Sequence, residues 1–92
     1  MSEASEMENL IEELKSKIVR LLYLSHVNPA DIKAETPLFG GDGGLGLDSI
    51  DALEIVIMLE QDYGVKIENK EIGKKVLVDF ATLASYIVQS RQ

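Results

Sequence analysis

The chain has 92 residues, of which 46% are hydrophobic and 5% aromatic, and it contains no cysteine. This length fits one small domain and leaves no room for separate nucleotide and substrate domains, while the lack of cysteine excludes disulfides and thiolate zinc sites. The formal net charge of −7 disfavours nucleic acid as a partner.

The N-terminus and the apolar runs of the chain predict the location of the protein in the cell. The N-terminus is acidic and polar, unlike a signal peptide, and the longest apolar run, residues 55–59, is too short to cross a bilayer. We therefore expect a cytoplasmic monomer without membrane contact. We expect a flexible acidic tail over residues 1–6, one domain over residues 7–90 and a short tail over residues 91–92.

The first predicted helix runs from about Met7 to Leu24, where apolar residues recur at three- and four-residue spacing. Asn28 followed by Pro29 predicts a cap and one short helical turn. The glycine-rich residues 40–46 then predict a loop that holds little regular structure.

Three further helices are predicted, and the first of them resumes the helical pattern at Ser49 and runs to about Tyr63, with Gly64 ending it. Asn69 predicts the cap of a short third helix through Ile72, weakened by the following glycine. The last helix has Asp79 as its predicted cap and an apolar stripe made of Phe80, Leu83, Ala84, Ile87 and Val88. The predicted fold is all-α, a small bundle of three main helices plus one short helix.

The negative charge is concentrated around Ser49. Residues 34–65 contain no lysine or arginine, and their acids are Glu35, Asp42, Asp48, Asp51, Glu54, Glu60 and Asp62. The other nine acids are balanced by the nine bases of the chain. Such a patch attracts basic protein surfaces, although a solvated acidic face that serves solubility is the alternative.

The helix after Ser49 has two apolar faces on a wheel that turns about 100° per residue. One arc, roughly 100° wide, is the expected core face and contains Ala52, Ile55, Val56, Leu59 and Tyr63. The opposite side carries Ile50, Leu53 and Ile57, bordered by Asp48, Asp51, Glu54 and Glu60. An exposed apolar cluster with an acidic rim is typical of a transient docking surface. The alternative is a central helix that is buried on both sides.

The segment Gly46-Leu47-Asp48-Ser49-Ile50-Asp51 stands where the loop gives way to this helix. It resembles the modification site of acyl carrier proteins, and the likeness extends from about Leu10 to Val88. The resemblance implies that Ser49 is covalently attached to 4'-phosphopantetheine, delivered from coenzyme A, with Asp48 and Asp51 flanking it for the modifying synthase.

The same resemblance implies roles for other residues of the helix. Residues of the partner-recognition surface would be Ile50, Asp51, Leu53, Glu54, Ile57 and Glu60. The space that shelters an acyl chain would be lined by Ala52, Ile55, Val56 and Leu59. Implied partners are a phosphopantetheinyl transferase, and a ketosynthase, an acyl-loading ligase and tailoring enzymes with basic docking patches.

We therefore expect a carrier of acyl thioesters in fatty-acid or polyketide-type biosynthesis, and not an enzyme. Alternatives are an aminoacyl or peptidyl carrier, and an unmodified acidic helical interaction module. The glycine-rich loop, Ile50 in place of the usual leucine, the neutral Gln61 and the lysines Lys70, Lys74 and Lys75 differ from a housekeeping fatty-acid carrier and indicate a specialised one.

Other motifs predict little. Residues 41–46 fit the letters of a dinucleotide-binding loop, but no strand precedes them. Residues 42–54 suggest a calcium loop, yet Gly44 and Gly46 stand where ligands are needed. His26 has no partners that suggest a triad or a metal site, so we expect neither catalytic residues nor a metal.

Overall fold

The computed structural model describes residues 3–39 and 44–91, and these form helices without a β-strand. The helices are α1 (Glu3–Leu21), α2 (Ser49–Tyr63), α3 (Lys70–Val76) and α4 (Phe80–Arg91), with a short 3-10 turn at Pro29–Asp31 between α1 and α2. The predicted all-α fold with three main helices and one short helix is confirmed. The predicted loop at residues 40–43, and residues 1, 2 and 92 of the predicted tails, lie outside the described residues.

Helix α1 buries the predicted apolar stripe, with Leu10, Leu14 and Ile18 in the core, and packs most extensively against α4. Its predicted bounds were wrong at both ends. The helix begins at Glu3 rather than Met7, in a polar stretch where no apolar periodicity marks a helix. It ends at Leu21 because Tyr23 adopts a left-handed conformation with φ of 54°, which breaks the helical backbone.

Helix α2 has the bounds that its caps predict. Asp48 is the N-cap, and its side chain accepts a hydrogen bond from the Asp51 amide. At the other end Gly64 has φ of 66°, a left-handed conformation that glycine adopts without strain, and its N–H is bonded to the carbonyls of Leu59 and Glu60.

Helix α3 is longer than predicted and passes through Gly73 to Val76. Asn69 is its N-cap, as predicted, and its side chain accepts a hydrogen bond from the Ile72 amide at 2.9 Å. The helix continues because Val76 and Leu77 at its end are buried, so packing outweighs the poor helix propensity of glycine. Asp79 accepts a hydrogen bond from the Thr82 amide at 2.7 Å at the start of α4.

The core is aliphatic apart from Phe80. Its fully buried large side chains come from three of the helices and from the loop before α2, and are Leu14, Ile18, Leu38, Ile55, Leu59, Phe80, Leu83 and Ile87. Among residues 3–39 and 44–91, no helix combines the length and the apolar character needed to span a membrane.

The loop before α2 is tied to the start of α4. The Leu38 amide donates to the Val78 carbonyl at 3.0 Å, and the Leu47 amide donates to the Leu38 carbonyl at 3.1 Å. An antiparallel bridge pairs Pro37 with Asp79. Leu38 is completely buried, so these bonds and this side chain fix the chain that leads into Ser49.

Candidate functional site

Ser49 is exposed and is the first residue of α2. The turn that holds it is a reciprocal capping box: Asp48 Oδ1 accepts from the Asp51 amide at 2.9 Å, and Asp51 Oδ2 accepts from the Asp48 amide at 3.1 Å. The two acids that flank the serine thus fix the backbone on either side of it. The capping box does not use the N–H groups of Ser49 and Ile50, which lie at the positive end of the helix.

The apolar residues predicted to lie outside α2 are exposed, and we call them the α2 ridge: Ile50 is 71% exposed, Leu53 59% and Ile57 46%. The acids Asp48, Glu54 and Glu60 are also exposed, and Asp51 is half-buried. The alternative of a helix buried on both faces therefore does not hold for this side of α2. Three aliphatic side chains face solvent beside Ser49 with carboxylates around them.

A mainly apolar groove of about 930 Å³ begins beside Ser49, and we call it the Ser49 groove. Its α2 wall includes Ala52 and Val56, two of the four residues predicted to shelter an acyl chain, and Leu53 from the α2 ridge. The other two predicted residues, Ile55 and Leu59, are completely buried in the core and do not line the groove. Ile55 and Leu59 lie on the side of α2 that faces the interior of the bundle, so they pack in the core instead of lining the groove.

The opposite wall of the Ser49 groove was not predicted from the sequence. It comes from the loop before α2 and from the segment around α3, and comprises Pro37, Phe39, Leu47, Ile67, Asn69, Lys70, Gly73, Lys74, Leu77 and Val78. Apart from Leu47, these residues are at least ten positions from Ser49 along the chain, and no spacing pattern links them to it. The one signal was compositional, since Lys70 and Lys74 stood out as basic residues in an acidic protein.

The far end of α2 is held to α1 by a polar cluster around Lys17. Its Nζ donates to Asp62 Oδ2 at 3.1 Å, lies 3.6 Å from Glu13 Oε1 and sits 4.7 Å from the centre of the Tyr63 ring. Burial alone would lower the pKa of Lys17, but the hydrogen bond to Asp62 and the nearby Tyr63 and Glu13 raise it overall. The pKa of Tyr63 is also raised, first by burial and then by the charge of Glu13.

Fold and site together define a small helical domain that presents a serine at a helix start beside an apolar groove. The sequence matches the family described as "Phosphopantetheine attachment site" over residues 12–85. The chain belongs to this family, whose members are covalently modified by 4'-phosphopantetheine. The resemblance to acyl carrier proteins noted from the sequence is confirmed, and such proteins are carriers rather than enzymes.

The chain is also similar to a curated protein named "Acyl carrier protein 2, mitochondrial" from Arabidopsis thaliana. The two are 36% identical over 55 residues, which is 60% of this chain and 41% of the relative. The alignment thus spans less than half the length of that relative.

Proposed function

We propose that this chain is an acyl carrier protein in which Ser49 is the residue attached to 4'-phosphopantetheine. The observation on which the proposal depends is that Ser49 is exposed at the first position of α2, with an apolar groove of about 930 Å³ beginning beside it. When bound, the group supplies a terminal thiol that holds an acyl chain as a thioester. Membership of the phosphopantetheine family and the name of the relative support acyl carriage.

The residues around Ser49 suit a phosphate attached there. Because the capping box already orders the first turn, attachment requires no rearrangement of the helix. The unused N–H groups at the start of α2 favour a negative group by about 0.3–1 kcal/mol at an exposed site. Ala52, Val56 and Ile67 give the adjoining groove an apolar surface, against which an acyl chain is shielded from water.

The α2 ridge is the proposed docking surface for partner enzymes. Ile50, Leu53 and Ile57 offer apolar contact area, and Glu54 and Glu60 steer and orient a basic partner. The partners are a phosphopantetheinyl transferase, and a ketosynthase, an acyl-loading ligase and tailoring enzymes of fatty-acid or polyketide-type biosynthesis. The basic residues of α3 and the unusual loop favour a specialised carrier over a housekeeping one.

Intact-mass measurement after incubation with a phosphopantetheinyl transferase and coenzyme A tests the proposal. We expect the mass to rise by one phosphopantetheine group in the native protein. The matched variant Ser25→Ala, which removes another exposed serine, should still be modified, whereas Ser49→Ala should not. No mass gain, or a gain that survives Ser49→Ala, would exclude Ser49 as the attachment residue.

A second candidate function is an unmodified interaction module, which the exposure of the α2 ridge specifically favours. This function predicts partner binding by the unmodified protein that is lost in Leu53→Ser and Ile57→Ser and kept in Ser49→Ala. An aminoacyl or peptidyl carrier is the other alternative. It is distinguished by which ligase loads the modified protein, an amino-acid-activating or a fatty-acid-activating enzyme.

A further inference from the structure

Two lysines of α3 line the Ser49 groove. Lys70 and Lys74 are four residues apart, so they lie on one face of the helix, and both are exposed. Across residues 3–39 and 44–91, no carboxylate forms an ion pair with either of them. Two positive charges without an ionic partner therefore border the groove that begins at the modified serine.

Helix stability does not account for Lys70, and it does not explain why Lys74 rather than Lys75 lines the groove. Lys70 is the first residue of α3, where the backbone N–H groups are already partly positive and a cation is unfavourable. Lys74 and Lys75 are both in the last turn, where a cation is favourable, yet only Lys74 lines the Ser49 groove. Lys75 lines a separate groove between α3 and α4.

Among the described residues, the groove lining contains one acid beside the two lysines. The acid in the lining is Asp48, whose Oδ1 accepts the hydrogen bond of the capping box. The rest of the groove surface is mainly apolar, so Lys70 and Lys74 supply the positive charge of its lining. An anion that enters from Ser49 would meet two lysines on the α3 wall.

We propose that Lys70 and Lys74 bind an anionic group in the Ser49 groove. This group is either the phosphodiester of the arm or a carboxylate at the far end of a dicarboxylic acyl cargo. The inference rests on the proposed function, because it requires an arm on Ser49. If the anion is the carboxylate, the inference adds a class of cargo: acyl chains that end in a carboxylate, for which a purely apolar groove would be unfavourable.

Two acyl chains of equal length test whether the bound anion is the carboxylate of the cargo. A transferase moves octanoyl- or suberyl-phosphopantetheine from the corresponding acyl-coenzyme A to the Ser49 oxygen, which forms the phosphodiester and releases adenosine 3',5'-bisphosphate. The cleavage rate of the thioester by hydroxylamine is then divided by that of the free acyl-coenzyme A. In the double variant Lys70→Gln/Lys74→Gln we expect suberyl cleavage to accelerate about two- to fivefold, the range of an exposed ion pair. Octanoyl cleavage should not change, and Lys75→Gln should behave as the native protein with both.

The modified protein without cargo tests whether the bound anion is the phosphodiester of the arm. If the lysines contact the phosphodiester, its phosphorus NMR signal should shift in Lys70→Gln/Lys74→Gln and not in Lys75→Gln. A suberyl-specific effect assigns the anion to the cargo, and a phosphorus shift assigns it to the arm.

Two failures are distinguishable by mass. If Ser49 takes up no arm, the proposed function is wrong and this inference with it. If Ser49 is modified, but the double variant matches Lys75→Gln in both the cleavage rates and the phosphorus signal, only the role of the lysines is wrong.

Discussion

Two glycines, Gly73 and Gly64, should respond to replacement by alanine with opposite changes in the free energy of unfolding. Gly73 is inside α3, and a Cβ there would lie 3.5 Å from Ile67 Cγ2, an ordinary van der Waals contact. Gly64 ends α2 with φ of 66°, and a Cβ there would meet no atom within 4 Å. The two substitutions add the same methyl group without a clash, so the backbone decides the outcome.

The expected magnitudes follow from backbone preferences. Alanine is better than glycine in a helix interior by about 0.8–1.0 kcal/mol, so Gly73→Ala should raise the free energy of unfolding by that amount. At Gly64 the left-handed conformation costs alanine roughly 1–2 kcal/mol, offset by about 0.4–1 kcal/mol from the less flexible unfolded chain. Gly64→Ala should therefore lower the free energy of unfolding by about 1 kcal/mol.

Thermal unfolding followed by circular dichroism measures both effects. A change of about 1 kcal/mol shifts the midpoint of a domain of this size by about 4–8 °C, upward for Gly73→Ala and downward for Gly64→Ala. If Gly73→Ala lowers the midpoint, then Gly73 is required by the α3 backbone or its packing, and the reasoning is refuted.

Three further predictions concern the N-cap, alkaline pH and docking. Asp48→Ala should lower the free energy of unfolding by about 0.5–2 kcal/mol in urea titrations, because it removes the acceptor for the Asp51 amide. Asp48→Asn keeps an acceptor and should lower the free energy of unfolding by less, so equal losses of stability in the two variants would contradict a capping role. Folding raises the pKa of both Lys17 and Tyr63. Their contribution to the free energy of unfolding is therefore present below their unfolded pKa values, and it is lost as pH rises above about 10 through the folded pKa values. Urea midpoints measured across this range should fall more gently in Tyr63→Phe, and curves of the same steepness would show that Tyr63 is not involved. Glu54→Lys should slow association with a transferase in stopped-flow measurements at low salt, and less so at physiological salt, where screening acts over about 8 Å. Glu8→Lys makes the same charge change at an exposed position on α1, and an equal slowing would show that net charge rather than the α2 surface steers the partner.

The parts of the fold that were predictable have local signals. Asp48 and Gly64 mark the ends of α2 because a cap and a left-handed glycine act within one turn of the chain. The start of α1 has no such signal, since its first turn is polar and has no apolar stripe. The end of α3 depends on the burial of Val76 and Leu77, and the sequence alone does not show which short helices pack.

The candidate site divides in the same way. The exposure of Ile50, Leu53 and Ile57 follows from helical periodicity, because only one side of a helix can face the core of so small a bundle. The groove wall formed by Ile67 and the lysines of α3 depends on how distant segments pack. Ile55 and Leu59 show what helical periodicity cannot predict. It indicates which side of a helix faces inward, but not whether a residue on that side packs in the core or lines a groove.

The separation of charge between α2 and α3 gives the molecule a preferred orientation before any contact is made. Residues 34–65 contain only acidic charges, whereas residues 66–75 contain four lysines and two glutamates and are positive overall. A body with opposite charges on neighbouring faces experiences a torque in an external field. As it diffuses toward a positively charged enzyme, this protein should turn so that the acidic surface of α2 approaches before the lysines of α3. More of the encounters then begin in an orientation that can bind.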